Sequence, residues 1–256
     1  MIPRSQTDRT ATPDPFSISA EEAIAPGVRR RPAVLGALAI SAAAVGLLLA
    51  IGAIFSRGGT FQFDRTIMLS LRRAGAIDTP AGPAWLRSVM VDITALGGTT
   101  VLTLAVIVAV LIMASRRLWL TAAMVAAASI SGSFLVTQIK VFVGRTRPDI
   151  VDHLVDVSGM SFPSGHATNS AIVYLILATL ASQVVHGRYT RNVLIGCAVV
   201  LVGAIGCSRV YLGVHWPSDV LAGWSFGTLW AGAWWLLAAR FRPAAPPAPA
   251  PMPAHL

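Results

Sequence analysis

The chain carries a single lysine against nineteen arginines, and charged residues of both signs make up only 12% of its 256 positions. Soluble domains carry about 25% charge, so this shortage, with 55% hydrophobic residues and a mean hydropathy of +0.68, excludes a soluble globular domain. The composition is that of an integral membrane protein. Cysteine is also scarce. Cys197 and Cys207 fall on one expected helix, separated by about 15 Å along its axis, which is too far for a disulfide; they read as small buried residues. Apolar runs are missing from both ends. Residues 1–32 are polar and rich in Ser, Thr and Pro, and residues 241–256 are a Pro/Ala repeat, so both are expected to be disordered cytoplasmic tails. Arg29, Arg30 and Arg31 precede an apolar run longer than the 7 to 15 residues of a signal peptide, which predicts an uncleaved first helix.

A membrane-crossing helix needs about 20 apolar residues. Runs of that kind occupy 33–55, 93–115, 118–139, 167–185 and 220–239. A sixth begins at Val193 and meets Ser208 and Arg209 after fifteen uncharged residues, so it is either short or brings Arg209 to the edge of the hydrocarbon; it is expected to be a span whose outer end is polar. The expected fold is all-α and polytopic: one domain over 33–240 with six transmembrane helices in a bundle. Arginines flank these runs at 29–31, at Arg116 and Arg117, at Arg188 and Arg191, and at Arg240 and Arg242, all on one face. The positive-inside rule makes that face cytoplasmic. For a plasma-membrane protein it places both termini in the cytoplasm and the remaining polar clusters on the extracytoplasmic face. Between the first two runs, Phe61, Phe63, Ile67 and Leu71 alternate with Asp64, Arg65 and Arg72. That pattern suits a helix lying in the interface, or equally one packed on the bundle.

Three clusters concentrate polar groups on the outer face. The first runs from the lone Lys140 to Arg147 and Pro148, the second is Pro163, Ser164, Gly165 and His166, and the third holds Ser208, Arg209, His215 and Asp219. Taken alone, Lys140 and Arg147 read as snorkelling anchors at a helix end, but cations clustered with the other polar groups call for an anion. Lys140, Arg147 and Arg209 can grip phosphoryl oxygens, the arginines as bidentate forks. Ser164 stands near the N-cap of a helix whose first amides and positive dipole end also suit an anion, and Gly165 permits close backbone approach. If the last helix starts near Trp216 and Pro217, Asp219 reaches His215 one turn earlier. A carboxylate on one ring nitrogen leaves the other free to attack, which makes His215 the candidate nucleophile. His166, at a helix start among cations, suits an acid that gives its proton to a leaving oxygen.

These segments resemble the signature of the type 2 phosphatidic acid phosphatase superfamily: K-x6-R-P at Lys140 to Pro148, P-S-G-H at Pro163 to His166, and S-R-x5-H-x3-D at Ser208 to Asp219. The resemblance spans about residues 33–240. It implies that Lys140, Arg147, Ser164, Gly165 and Arg209 bind phosphate, that His166 is the general acid, that His215 becomes phosphohistidine supported by Asp219, and that no metal or cofactor is required. The expected partners are a membrane lipid phosphate and the bilayer, with no nucleic acid; the sequence leaves oligomeric state open. Undecaprenyl diphosphate is the preferred substrate, ahead of phosphatidic acid and phosphatidylglycerol phosphate. A phosphotransferase using the same phosphohistidine is the alternative, and a non-catalytic lipid carrier would not need two histidines and the aspartate together. Arg145 is expected to contact solvent or lipid headgroups, with a second phosphate of a diphosphate as the other option. Asp149, Asp152, His153 and Asp156 read as a solvated loop rather than a metal site.

Overall fold

The computed structural model describes residues 31–55, 61–185 and 187–241. The two expected tails lie outside these residues, apart from Arg31, Pro32 and Phe241. Eight helices follow in order: α1 (Arg31–Phe55), α2 (Gln62–Ser70), α3 (Ala84–Ala95), α4 (Thr99–Ser115), α5 (Trp119–Val143), α6 (Gly165–Val184), α7 (Arg188–Tyr211) and α8 (Pro217–Ala239). A two-stranded antiparallel hairpin, β1 (Arg72–Arg73) with β2 (Ala76–Pro80), joins α2 to α3, its turn formed around Gly75 at φ +80°.

Four helices, α1, α5, α6 and α7, are each long and apolar enough to cross a bilayer, and α3 with α4 makes a fifth when that bent pair is one span. The protein is a multi-pass membrane protein. α8 has the length, at 23 residues, but four tryptophans and three glycines dilute its hydropathy. The run expected at 93–115 is broken. α3 and α4 meet at 42° across Leu96, Gly97 and Gly98, and a Cβ on Gly97 would overlap Ile205 Cγ2 and come into contact with His166. α7 carries Arg209 in its last turn, and it is 24 residues long because it starts ahead of the expected Val193, with Arg188 and Arg191 inside its first turns.

α8 is the hub, packed against α1, α5, α6 and α7. Its contact with α6 is closest. A Cβ on Gly223 would lie 2.8 Å from Thr168 Oγ1, and one on Gly227 would lie 2.7 Å from both Ala171 Cβ and Thr168 O. Small residues allow helix backbones to approach where no hydrophobic effect drives them together. Two indole N–H groups hold the other sides, Trp224 Nε1 donating to Val202 O of α7 and Trp230 Nε1 to Ala128 O of α5. The main core includes Leu48 and Phe55 of α1, Val136 of α5, Ile172 of α6 and Phe226 of α8. This packing brings the C-termini of α5 and α7 and the N-termini of α6 and α8 to one end of the bundle.

Both cysteines differ from expectation: Cys197 and Cys207 are exposed on α7 and free. They occupy the face of α7 turned away from its packed partners.

Candidate active site

Pro217 occupies the first turn of α8, with Trp216 as its N-cap. The missing N–H of a proline costs nothing there, and Asp219 closes the turn by accepting the Trp216 N–H on Oδ2 at 3.0 Å. The same Oδ2 accepts the Ser161 hydroxyl at 2.5 Å and lies 3.4 Å from His215 Nδ1. Ser161 Oγ is 3.3 Å from that same ring nitrogen. Since the Ser161 hydrogen is already given to Asp219, both neighbours of Nδ1 are acceptors, so the proton of a neutral imidazole belongs on Nδ1. Nε2 keeps its lone pair and faces Arg147 Nη1 at 3.4 Å. His215 is only 2% exposed. Burial pushes its pKa down to about 3, opposed by the hydrogen bond and charge of Asp219 and reinforced by Lys140 and Arg209, so the ring is neutral near pH 7.

Three cations stand around this ring, each held by neutral oxygens. Arg147 donates from Nε to Gly159 O at 3.0 Å, from Nη2 to Ser158 O at 2.9 Å and from Nη1 to Val214 O at 2.7 Å. Lys140 Nζ donates to Met160 O at 3.0 Å and Ser161 O at 3.3 Å. Arg209 Nη1 donates to the hydroxyl of Thr94, at the end of α3, at 3.0 Å. None of the three pairs with a carboxylate among the described residues. All three lie close enough for their charges to act on one another and on His166. Burial holds the Arg147 guanidinium below its usual value, with Asp219 opposing. Cations that are positioned but not neutralised, in a site of lowered dielectric, form a strong anion receptor.

The start of α6 completes the receptor. Ser164 is its N-cap and is fully buried, and its hydroxyl has no partner among the described residues. Its N–H donates to Asp219 O at 3.0 Å, tying α6 to α8. A Cβ on Gly165 would meet only Lys140 Cε, at an ordinary 3.7 Å, which places the first turn of α6 beside the lysine. The amides of such a turn are unsatisfied and point at an anion. His166 is half-buried and lies against Gly97 at the α3–α4 bend. The structure therefore gathers all eight residues singled out in the sequence: Lys140, Arg147, Ser164, Gly165, His166, Arg209, His215 and Asp219.

Arg145 departs from expectation. It is 6% exposed, and its guanidinium bridges two buried carboxylates, Nη2 to Asp64 Oδ2 at 3.0 Å and Nη1 to Asp219 Oδ1 at 2.5 Å, with its flat face 3.5 Å from the Phe55 ring centroid. Its guanidinium is taken up by these two carboxylates and shielded from solvent. Asp64, expected on the polar side of an interfacial helix, is fully buried. α2 still turns Phe63 and Ile67 outward, while Asp64 and Met68 face the bundle. Ser161, Ser218 and Thr94 also belong to the site and carry no motif signal. Asp149, Asp152, His153 and Asp156 are all exposed, and among the described residues no group of three or more His, Cys, Asp or Glu could hold a metal ion.

Comparison with known proteins places this bundle among membrane phosphatases. The profile of the PAP2 superfamily matches residues 117–243. Phosphatidylglycerophosphatase B of Bacillus subtilis is 37% identical over 148 residues, which cover 57% of this chain and 71% of that protein. Decaprenylphosphoryl-5-phosphoribose phosphatase of Mycobacterium tuberculosis is 40% identical over 129 residues, covering 49% of this chain and 64% of the relative. The crystal structure of a transmembrane PAP2-type phosphatidylglycerolphosphate phosphatase from Bacillus subtilis superposes with a TM-score of 0.63 at 28% identity, covering 77% of this chain and 97% of that one. With its clustered histidines and cations set at one end of a matching bundle, the chain belongs to the PAP2 superfamily.

Proposed function

We propose that the protein is a lipid phosphate phosphatase that works through a phosphohistidine at His215. The observation carrying this reading is the neutral, buried His215, with Nδ1 held by Asp219 and Nε2 turned toward Arg147 among three cations that lack carboxylate partners. In the first step Nε2 attacks phosphorus, the bond from phosphorus to the lipid oxygen breaks, and His166 gives that oxygen its proton. Lys140, Arg147, Arg209, the Ser164 hydroxyl and the first amides of α6 take the charge of the equatorial oxygens, the main form of stabilisation available to phosphoryl transfer. In the second step water attacks phosphorus and passes a proton to His166, and the P–N bond breaks to release phosphate.

A lipid tail has somewhere to go. A cavity of about 590 Å³ lies between α4, α5 and α6. Its lining includes Thr99, Thr137 and Asn169, each within about one helical turn of the Gly97 bend, Lys140 or His166, and further along the exposed Ile130 and Phe134. The cavity thus extends from beside the site to the bilayer-facing surface, which supports a substrate drawn from the membrane. Arg145, the one residue offered for a second phosphate, is engaged by Asp64 and Asp219. That favours a lipid monophosphate, of the phosphatidylglycerol phosphate kind, over undecaprenyl diphosphate. We further propose six spans, α8 being the sixth, with both termini cytoplasmic and the site on the outer face of the plasma membrane, since Arg116, Arg117, Arg188, Arg191 and Arg240 lie at the end of the bundle opposite the site.

The test is phosphate release in detergent with EDTA present, from phosphatidylglycerol phosphate and undecaprenyl diphosphate side by side, with wild type and His215→Ala. Faster release from the monophosphate by wild type alone is expected. Equal release by His215→Ala removes the nucleophile, and a preference for the diphosphate reverses the substrate order.

A further inference from the structure

Behind His215 lies a second layer of buried charge that the phosphate receptor does not use. Asp64 belongs to α2, far in sequence from every motif residue, and is 0% exposed. Its Oδ1 accepts the Ser218 N–H at 2.8 Å, and its Oδ2 accepts the Ser218 hydroxyl at 2.6 Å and Arg145 Nη2 at 3.0 Å. Arg145 in turn donates from Nη1 to Ser218 Oγ at 2.8 Å and to Asp219 Oδ1. One guanidinium is therefore divided between two carboxylates, and Asp64 also grips the first turn of α8, the turn that carries Asp219.

We propose that Asp64 is a positioning residue for the reaction, acting through Arg145 and Ser218 to hold the Asp219 carboxylate oriented toward His215. This rests on the phosphohistidine reading of the site. Without Asp64, the whole charge of Arg145 would fall on Asp219, since no other carboxylate pairs with Arg145 among the described residues. A fork drawn fully onto Asp219 would compete with His215 Nδ1, whose contact to Oδ2 is already long at 3.4 Å. Asp219 would then stabilise less well the positive charge that grows on the imidazole as Nε2 bonds to phosphorus. Asp64 touches neither His215 nor the three receptor cations, so its loss leaves phosphate binding in place. Its effect falls on turnover and not on affinity.

The test uses the full chain in detergent with a 32P-labelled lipid monophosphate, comparing wild type, Asp64→Asn, Asp219→Asn, their double variant and His215→Ala. Asp64→Asn keeps the side-chain size and one acceptor for the Ser218 N–H. Its kcat is expected to fall about 10- to 100-fold, the usual cost of removing a group that orients a functional one, with KM within about twofold. In the Asp219→Asn background the same substitution should change kcat by less than about threefold, because two groups acting through one another are not additive. An unchanged kcat in Asp64→Asn, or the same factor in both backgrounds, overturns the proposal. Ser218→Ala removes the hydroxyl that accepts from Arg145 and donates to Asp64, leaving their direct ion pair, so it loosens the hold on the first turn of α8 without stranding a charge and covers the case in which Asp64→Asn does not fold. It should lower kcat several-fold at constant KM, and an unaltered kcat there also overturns the proposal. Full activity in His215→Ala would refute the underlying mechanism instead, and is told apart by that control.

Discussion

Replacing Lys140 by arginine keeps the charge and changes only its shape, so it isolates what the lone lysine does. The Lys140 ammonium is anchored to two carbonyls, Met160 O and Ser161 O, and its Cε lies beside the first turn of α6, at 3.7 Å from a Cβ placed on Gly165. A guanidinium is planar and larger, with its donors fixed in a fork. In this slot it can keep the carbonyl contacts or aim at the phosphoryl group, but the geometry that serves one turns it from the other. The loss is then about one charge-assisted hydrogen bond, roughly 1.5 to 3 kcal/mol. At about 1.4 kcal/mol per factor of ten, kcat/KM should drop about 10- to 150-fold. Steady-state phosphate release against lipid concentration measures it, with a thermal unfolding curve to show that the fold persists. Unchanged kinetics would mean that the ammonium only anchors the end of α5, and the receptor would then have to be rebuilt without it.

Two further predictions concern packing and pH. Gly227→Val drives a side chain into Thr168 O and Ala171, where a Cβ alone would already lie 2.7 Å away; overpacking of this kind costs about 1 to 3 kcal/mol, so denaturant unfolding in detergent should shift accordingly and activity should fall as α6 and Ser164 move from Asp219. His215 attacks only when neutral, and its buried imidazole is pushed down to about 3. Because the rate due to a base falls as pH drops through its pKa, kcat/KM should show no acid limb from His215 near its ordinary value of about 6.5. A pH profile whose acid limb sits near 6.5 and disappears with His215 would contradict the burial argument.

The sequence made the helices and the receptor legible, because both are written in local patterns. Apolar runs of spanning length became α1, α5 and α6 almost in place, and Lys140, Ser164, Arg209 and His215 stand at helix ends that proline, glycine and serine punctuate. Pairing across the chain was not legible. Asp64 and Arg145 are 81 residues apart, and Arg145 and Asp219 are 74 apart, so nothing local distinguishes Arg145 from an interfacial arginine or Asp64 from a solvated one. The same applies to Thr94, which meets Arg209 across 115 residues. The bend at Gly97 was hidden for another reason: two glycines inside an apolar run read as continuous span by hydropathy, and only the close approach of Ile205 shows why a side chain is crowded out there. Cys197 and Cys207 were placed wrongly because in a membrane an apolar residue gains nothing from facing inward, so hydrophobicity does not tell the two sides of α7 apart.

The central claim is that phosphorus becomes bonded to His215. Rapid quenching of the wild type during turnover of a 32P-labelled lipid monophosphate, followed by peptide mapping under alkaline conditions that preserve a phosphoramidate, tests it most directly. Label recovered on the peptide containing His215, and lost in His215→Ala, is the predicted result. Label on His166 or on Ser164, or rapid turnover with no label on the protein at any quench time, would contradict it.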